Sequence, residues 1–423
     1  MEKELLKRLI LEYQQQVVQV ELNRRDISLS ADLNYVLVGI RRAGKSYMLY
    51  QQVHELINSG HRAEEILYFN FEDDRLEGMT LADLDEIKVC YEEMYSYRPI
   101  FFLDEIQNIT GWEHFARRLA DQKYKVYITG SNARMLSMEI AGTLGGRYMI
   151  QHVFPYSFAE YLAASGIHLS PNWIYSPQRN DVARLFDIYF HFGGLPEVQP
   201  IKPAMKRQWI NNLYNKIFFG DILARFNVRN TMSLKILVRK LAESVKQPCS
   251  FTRLANIVSS AGTKTRVETI TDYLSYAEDS CLIFSIENYA AKIVEKVSNR
   301  KYYFIDNGLL NLFLFDPNTS LLENIVAIRL YSQYDDVCFY NSGFEVDFYL
   351  WEHATAIQVA YSMSNDETRK RETDGLLKLA KTYDVRQMLV ITRDERETIE
   401  VGGYKIEVVP VWEWLLEASE SIY

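Results

Sequence analysis

Four cysteines in 423 residues is little, and Cys90, Cys249, Cys281 and Cys338 stand far apart. That excludes a disulfide scaffold and any CxxC metal site. No apolar run reaches the roughly 18 residues needed to span a bilayer, so no membrane role is expected. The opening MEKELLKRLILEYQQQ mixes Glu with Lys and Arg and lacks a small-residue cleavage site, which argues against a secretory signal. Positive charge is not in surplus either: 47 Lys and Arg against 56 Asp and Glu give a net charge of −9. A general DNA-coating role is therefore excluded, and any nucleic-acid contact must come from a local basic face. There is no internal repeat and no low-complexity tract. What remains, 48% hydrophobic and 24% charged, is the composition of a folded chain. It is too long for one core, so roughly two to four domains and a cytoplasmic location are expected.

Residues 3–25 have the apolar spacing of an amphipathic helix. From about Asn34 to Phe154, short apolar strands (Tyr35–Gly39, Ile66–Phe71, Ile100–Asp104, Lys125–Gly130, Tyr148–Phe154) alternate with helical stretches. Strands that lack internal alternation and are separated by helices predict a parallel sheet covered on both faces, a doubly wound α/β domain. After Pro155 the pattern is helical to about residue 231. Three helix-like segments follow, Leu234–Val245, Phe251–Ser260 and Lys264–Cys281, then β-rich Ile283–Tyr289 and Tyr302–Asp306, the layout of a winged helix-turn-helix. A second α/β unit closes the chain: helix Leu322–Tyr334, strands Val337–Tyr340, Val346–Trp351 and Ala356–Ala360, helix Arg371–Tyr383 and strand Gln387–Thr392.

The sharpest motif is Gly39-Ile40-Arg41-Arg42-Ala43-Gly44-Lys45-Ser46, which fits G-x-x-x-x-G-K-[ST] at every fixed position. It follows a strand and opens a helix expected from Lys45 to about Asn58, stopped by Gly60. Glycines let backbone N–H groups curl around a phosphate, and the helix N-terminus adds partial positive charge. Lys45 is suited to neutralise the β- and γ-phosphates, and the Ser46 hydroxyl to complete a Mg²⁺ shell. Arg41 and Arg42 lie in the loop, where Arg42 can pin it to a neighbouring acid. A Gly-rich turn that binds nothing is the competing reading, and the strand–loop–helix context weighs against it. Pro99-Ile-Phe-Phe-Leu-Asp104-Glu105-Ile106 supplies the complement, with Asp104 ordering Mg²⁺ and Glu105 polarising the attacking water. At the end of the next strand, Ser131 and Asn132 are candidates to meet the γ-phosphate and lytic water. Gly145-Gly146-Arg147 sets an arginine on a turn, in reach of transition-state charge in cis or from a neighbouring subunit.

The run GIRRAGKS, FFLDEIQ, ITGSNARML, GTLGGRY and FPYSFAEYL resembles the AAA+ ATPases of archaea and bacteria that carry a helical lid, a winged helix and a C-terminal restriction-endonuclease-like domain. FGGLPE (192–197), DILARF (221–226) and EVDF (345–348) agree, so the resemblance runs over nearly the whole chain. It implies Gly39–Ser46 as the nucleotide loop, Asp104 and Glu105 as Walker B, Ser131 or Asn132 as sensor 1 and Arg147 as arginine finger. It also implies ATP, since no guanine-reading N-K-x-D follows the strands. The expected divisions are an N-terminal helix (1–28), the P-loop ATPase core (29–165), a helical lid (166–231), a winged helix (232–315) and a degenerate nuclease-like domain (316–423). Nucleotide, DNA through the winged helix, a protein and a second copy of the chain are the partners considered.

In nucleases of the PD-(D/E)xK type, an Asp on one strand and Glu-x-Lys on the next hold a divalent metal and steady the attacking water. Here Glu345-Val-Asp347 occupies the first strand and Glu323 can add a ligand. Gln358 stands where the metal-binding Glu belongs, and Ala360 where the Lys belongs. A Gln carbonyl is a poorer ligand for a hard cation, so a docking module is expected rather than a nuclease, with Asp347 capping a turn. Lys264, Thr265, Arg266, Thr269 and Thr271 near the start of the third winged-helix segment suit a major groove. Lys292, Lys296, Arg300 and Lys301 of the hairpin suit phosphates. Glu268, Asp272, Glu278 and Asp279 oppose that face, which leaves DNA and protein both open. The expected activity is Mg²⁺-dependent ATP binding and hydrolysis driving domain rearrangement. An ATP-gated nuclease and a slow, partner-controlled switch are the alternatives.

Overall fold

The computed structural model describes residues 1–130, 142–261 and 264–417. By contacts the chain divides into Met1–Phe154 with Asp279–Cys281, and Pro155–Glu278 with Leu282–Tyr423.

In the first unit, helix α1 (Lys3–Gln19) buries Leu6, Leu9, Ile10, Tyr13 and Val17, the stripe its spacing predicts. It stops at Gln19 rather than near residue 25, and the chain beyond turns Arg25 inward to 5% exposure. Strands β1 (Asn34–Val38), β2 (Ile66–Asn70), β3 (Ile100–Asp104), β4 (Lys125–Gly130) and β5 (Tyr148–His152) form one sheet in the order β2-β3-β4-β1-β5. Every pairing is parallel. Strands β1 to β4 are buried almost throughout because helices cover both faces. The edge strand β5 leaves Met149 and Ile150 exposed. Helices α2 (Lys45–Asn58), α3 (Leu81–Met94) and α4 (Trp112–Asp121) make the connections. Since β4 lies between β1 and β3, the C-terminal ends of all three strands share one edge of the sheet.

The second unit begins with helices Phe158–Ala164, Gln178–Phe192 and Pro203–Lys216. Ser157 and Glu160 cap the first reciprocally, at 3.2 and 2.9 Å. The second stops at Gly193, whose φ of 75° suits glycine. A Cβ there would lie 2.1 Å from the Asp306 carboxylate, and one on Gly194 2.2 Å from the Tyr156 carbonyl. Asp306 accepts hydrogen bonds from the N–H groups of Gly194, Gly308 and Leu309, which explains the paired glycines of FGGLPE.

Helices Thr231–Glu243, Phe251–Ser260 and Val267–Asp279 follow, with a short β6 (Cys249–Ser250) before the second. Strands β7 (Ile283–Asn288) and β8 (Asn299–Phe304) pair antiparallel, and β6 joins β8. Between β7 and β8 lies a helix that the sequence pattern does not announce, Ile293–Ser298, with Ile293 and Val294 largely exposed. Helix Asn318–Gln333 leads into β9 (Val337–Asn341), β10 (Glu345–Leu350), β11 (Thr355–Val359), helix Asp366–Thr382 and β12 (Gln387–Thr392). A hairpin, β13 (Glu397–Val401) and β14 (Tyr404–Pro410), then extends the sheet, and helix Val411–Glu417 follows. β13 is an edge strand with little burial, so it carries little hydrophobic signal in the sequence. The resulting sheet runs β13-β14-β12-β11-β10-β9-β7-β8-β6. It crosses the division expected at residue 315, because β7 pairs in parallel with β9. Val346, Ala356, Leu376, Leu379, Val390 and Ile406 form the core between this sheet and the Asp366–Thr382 helix.

Candidate nucleotide site and the AAA domain

The loop between β1 and α2 is shaped by two kinds of backbone demand. Gly39 lies so close to the chain just after β5 that a Cβ would sit 2.2 Å from the Val153 carbonyl oxygen. Gly44 and Arg42 take φ values of 96° and 69°, which turn the chain into the helix N-terminus. The Ala43 N–H donates to Ile40 O at 3.2 Å. Arg25 braces the loop from outside, donating to Ala43 O at 3.0 Å and to Phe154 O at 2.8 Å, while its own N–H is held by Gln51. Arg41 pairs with Glu72 at 2.8 Å. Lys45, 4% exposed, folds back over its own loop and donates to the carbonyls of Gly39 and Ile40 at 3.1 and 3.2 Å. Its ammonium lies 3.6 Å from a Glu105 carboxylate oxygen.

Asp104 ends β3 fully buried, and hydroxyl groups hold it. Tyr68 donates to Oδ2 at 2.6 Å and Thr129 to Oδ1. Burial first, then the charge of Glu105, pushes the Asp104 carboxyl up, against the hydrogen bonds from Thr129, Tyr68 and Ser46. Ser46, in the first helical turn after the loop, thus faces an acid on the strand two places across the sheet. Glu105 stands at φ 53°, a left-handed conformation rare outside glycine, and its N–H donates to Thr129 Oγ1 at 2.9 Å. One threonine hydroxyl thus serves both acids. Gln107 donates to Glu105 Oε2.

The structure therefore brings together Gly39, Ile40, Arg41, Arg42, Ala43, Gly44, Lys45, Ser46, Asp104 and Glu105. Ser131 and Asn132 lie outside the described residues. Arg147 is elsewhere: it precedes β5, at the opposite end of a strand about 17 Å long, and pairs with Asp121 at 2.6 Å. Tyr68 and Arg25 are polar residues that sequence reading did not single out, and Thr129 was read only as part of the strand end that carries Ser131 and Asn132. Thr129 carried the one available signal, a hydroxyl at the end of the strand beside Asp104.

In the second unit, two expectations need correction. Lys301 has no exposed surface, and Arg300 is bonded to Glu287 and Ser285, so neither is free to meet a phosphate. Burying a charged strand residue costs too much unless carboxylates face it, and for Lys301 they do. Lys292 precedes the exposed Ile293–Ser298 helix and Lys296 lies within it. No described helix is long and apolar enough to cross a membrane.

A model of the AAA domain matches residues 32–162, the span that holds the five-stranded sheet and the loop. A domain of unknown function matches 183–319. An uncharacterized protein of Methanocaldococcus jannaschii is 30% identical over 98% of this chain and 96% of its own. The chain belongs to its family. An uncharacterized protein of Haemophilus influenzae, 31% identical over 96% of this chain and 98% of its own, is a further relative. Among solved structures, a Walker-type ATPase of Pyrococcus abyssi is 14% identical with a TM-score of 0.44, covering 74% of this chain and 95% of that one. AMPPCP-bound DnaA of Aquifex aeolicus is 15% identical with a TM-score of 0.25, over 64% and 87%. The P-loop ATPase fold of residues 32–162 thus follows from the sheet, the loop and the domain match together.

Proposed function

We propose that this AAA domain binds and hydrolyses ATP with Mg²⁺, and that its nucleotide state drives rearrangement of the rest of the chain. The observation that carries the reading is the meeting of Lys45 with Glu105, 3.6 Å apart, next to an Asp104 held by Tyr68 and Thr129 and facing Ser46. The fit to a phosphate rests on the loop. Its glycine positions admit backbone approach, and the Lys45 ammonium rests on two carbonyls that a phosphate can outcompete. Ser46 and Asp104 are the oxygen donors suited to Mg²⁺, which would supply charge neutralisation across the β- and γ-phosphates.

In this reading Lys45 binds phosphate and Glu105 orients and deprotonates the attacking water. Asn132 and Ser131 meet the γ-phosphate. Arg147, distant along β5 from its own loop, acts across a boundary between copies of the chain. The test is nucleotide binding and hydrolysis by wild type and Glu105→Gln, with and without duplex DNA. Retained binding with lost turnover supports the assignment; unchanged turnover sinks it.

The reading extends to the second unit. Three helices, a short strand against the second strand of a hairpin, and the hairpin itself support a winged helix over 231–304, with DNA or a protein as partner. A helix followed by β9, β10, β11, a helix and β12 supports a nuclease-like module that docks rather than cuts. Both ends of the Gln358 amide are engaged there, accepting from the Asp347 N–H at 2.9 Å and donating to Glu345 O at 3.2 Å. A Glu could not make the second bond.

A further inference from the structure

A cavity of about 790 Å³ opens in the second unit, lined among others by Glu323, Glu345, Asp347, Gln358, Arg371 and Glu372. Glu345 and Asp347 come from β10, where the ladder to β9 shifts register between Val346 and Tyr349. Glu323 comes from the Asn318–Gln333 helix, with 3% of its surface exposed. Lys301 arrives from β8 with none exposed. Its ammonium lies 3.3 Å from Glu323, 3.0 Å from Glu345 and 3.2 Å from Asp347. Glu323 and Asp347 accept hydrogen bonds from it, and Glu345 completes the ion pairing.

The remaining capacity of the acids is also partly used. Glu323 Oε1 accepts from Tyr303 OH at 2.8 Å, and Asp347 Oδ2 from the Val359 N–H at 2.9 Å. Burial opposes the charge on Lys301, but Glu323, Asp347 and Glu345 together outweigh it and hold the ammonium well above its usual range. Burial pushes the Glu323 carboxyl up in turn. Both directions agree with three acids facing one cation: the ammonium stays charged, and the most buried acid is the one whose charge burial opposes most.

A metal-dependent nuclease site would need these same carboxylates at roughly 2.0–2.6 Å from a divalent cation. The residues do not fit one. Among the described residues no three His, Cys, Asp or Glu side chains are grouped to hold a metal ion. A dication beside a fully buried ammonium would also meet strong repulsion in a medium that screens poorly. We propose that the Lys301 ammonium occupies the place of a divalent cation among Glu323, Glu345 and Asp347, so that this cavity is a metal-excluding site with a tethered cation of its own. The lysine absent at position 360 is thus answered by one from β8, in a different role. The inference is independent of the nucleotide reading.

The test is Mn²⁺ uptake by the full, nucleotide-free chain, read from the electron paramagnetic resonance of free Mn²⁺. An Asp104→Asn background removes the carboxylate of the nucleotide site. The background chain is expected to leave the free Mn²⁺ signal undiminished. Adding Lys301→Met should create Mn²⁺ uptake, and adding Asp347→Asn to that should abolish it. Because Lys301→Met leaves three acids facing one another, Lys301→Met with Glu345→Gln serves as a second variant with less repulsion and the same expected gain. Mn²⁺ uptake by the background chain that depends on Asp347 overturns the proposal. So does a folded Lys301→Met/Glu345→Gln chain that takes up none. So, too, does Mn²⁺-dependent nicking of duplex DNA by wild type that is lost with Asp347→Ala.

Discussion

Two lysines in this chain sit among acids, and they are held differently. Lys45 rests on two backbone carbonyls and approaches one glutamate at 3.6 Å. Lys301 is enclosed by three carboxylates at 3.0 to 3.3 Å. The first ammonium has partners that an incoming phosphate can replace at little cost, because neutral carbonyls bind it less strongly than an anion does. The second has no such vacancy, since displacing it would leave Glu323 and Asp347, the two less exposed of its acids, without their cation. The same residue types, Lys with Asp and Glu, thus make an exchangeable site in one region and a sealed one in the other.

The largest effect expected from breaking this contrast lies at Glu105. Glu105→Gln should lower ATP turnover by about 10²- to 10⁴-fold, the usual contribution of general base catalysis. Nucleotide affinity measured by titration should stay close to wild type. Lys45→Ala should instead remove binding itself. A chain in which Lys45→Ala binds ATP normally would remove the exchangeable half of the comparison.

The sealed half is probed by stability. Lys301→Met should cost about 3–5 kcal/mol in denaturant unfolding of the second unit, the price of breaking a buried ion pair by removing one partner. Adding Glu345→Gln should return part of that loss. A Lys301→Met chain as stable as wild type would mean that the carboxylates do not depend on the ammonium.

Asp306 offers a third case, a buried acid held by the backbone N–H groups of Gly194, Gly308 and Leu309. Burial pushes its carboxyl up to about 6 against the N–H groups of Gly194, Leu309 and Gly308. The folded state then binds more protons than the unfolded between about pH 4 and 6. The contribution of this group to stability should therefore fall as pH rises through that window, by about 2–3 kcal/mol in all. Asp306→Asn should flatten that slope in unfolding experiments even though Asn turns a donor toward one of the three N–H groups. A slope unchanged in Asp306→Asn would assign it to other acids.

The sequence disclosed the exchangeable site far better than the sealed one. A phosphate loop is local: Gly39 to Ser46 are contiguous, and the helix they open runs from Lys45 to Asn58 as its pattern predicts. Asp104 and Glu105 were legible because a fully apolar strand ends on them. The cluster around Lys301 joins β8, a helix and β10, residues 301 to 347, and only the fold brings them together. Periodicity hid it as well, since Lys301 looks like a surface cation of a hairpin. Likewise Gln358 read as a lost ligand, whereas its amide ties β10 to β11. The edge strand β13 went unannounced because an exposed strand has too few apolar residues to mark it.

The smallest expected effect separates positioning from direct chemistry within the nucleotide site. Thr129 Oγ1 donates to Asp104 Oδ1 and accepts from the Glu105 N–H, so one hydroxyl steadies both the acid suited to Mg²⁺ and the left-handed backbone of the proposed base. Thr129→Val keeps the shape and removes the hydroxyl, leaving a buried N–H and a buried carboxylate each short of a partner. A loss of about 1–3 kcal/mol is the ordinary cost of such an unsatisfied group. In kinetics the expectation is a fall in kcat of about tenfold, with KM for ATP nearly unchanged and more Mg²⁺ needed for half-maximal rate. Thr129→Ser restores the hydroxyl and should recover most of the rate, which a role in packing alone would not, because Ser lacks the methyl group that Val keeps. Equal kcat for Thr129→Val and wild type would mean that Tyr68 and Ser46 suffice to hold Asp104, and that the exchangeable site is less tightly organised than the sealed one.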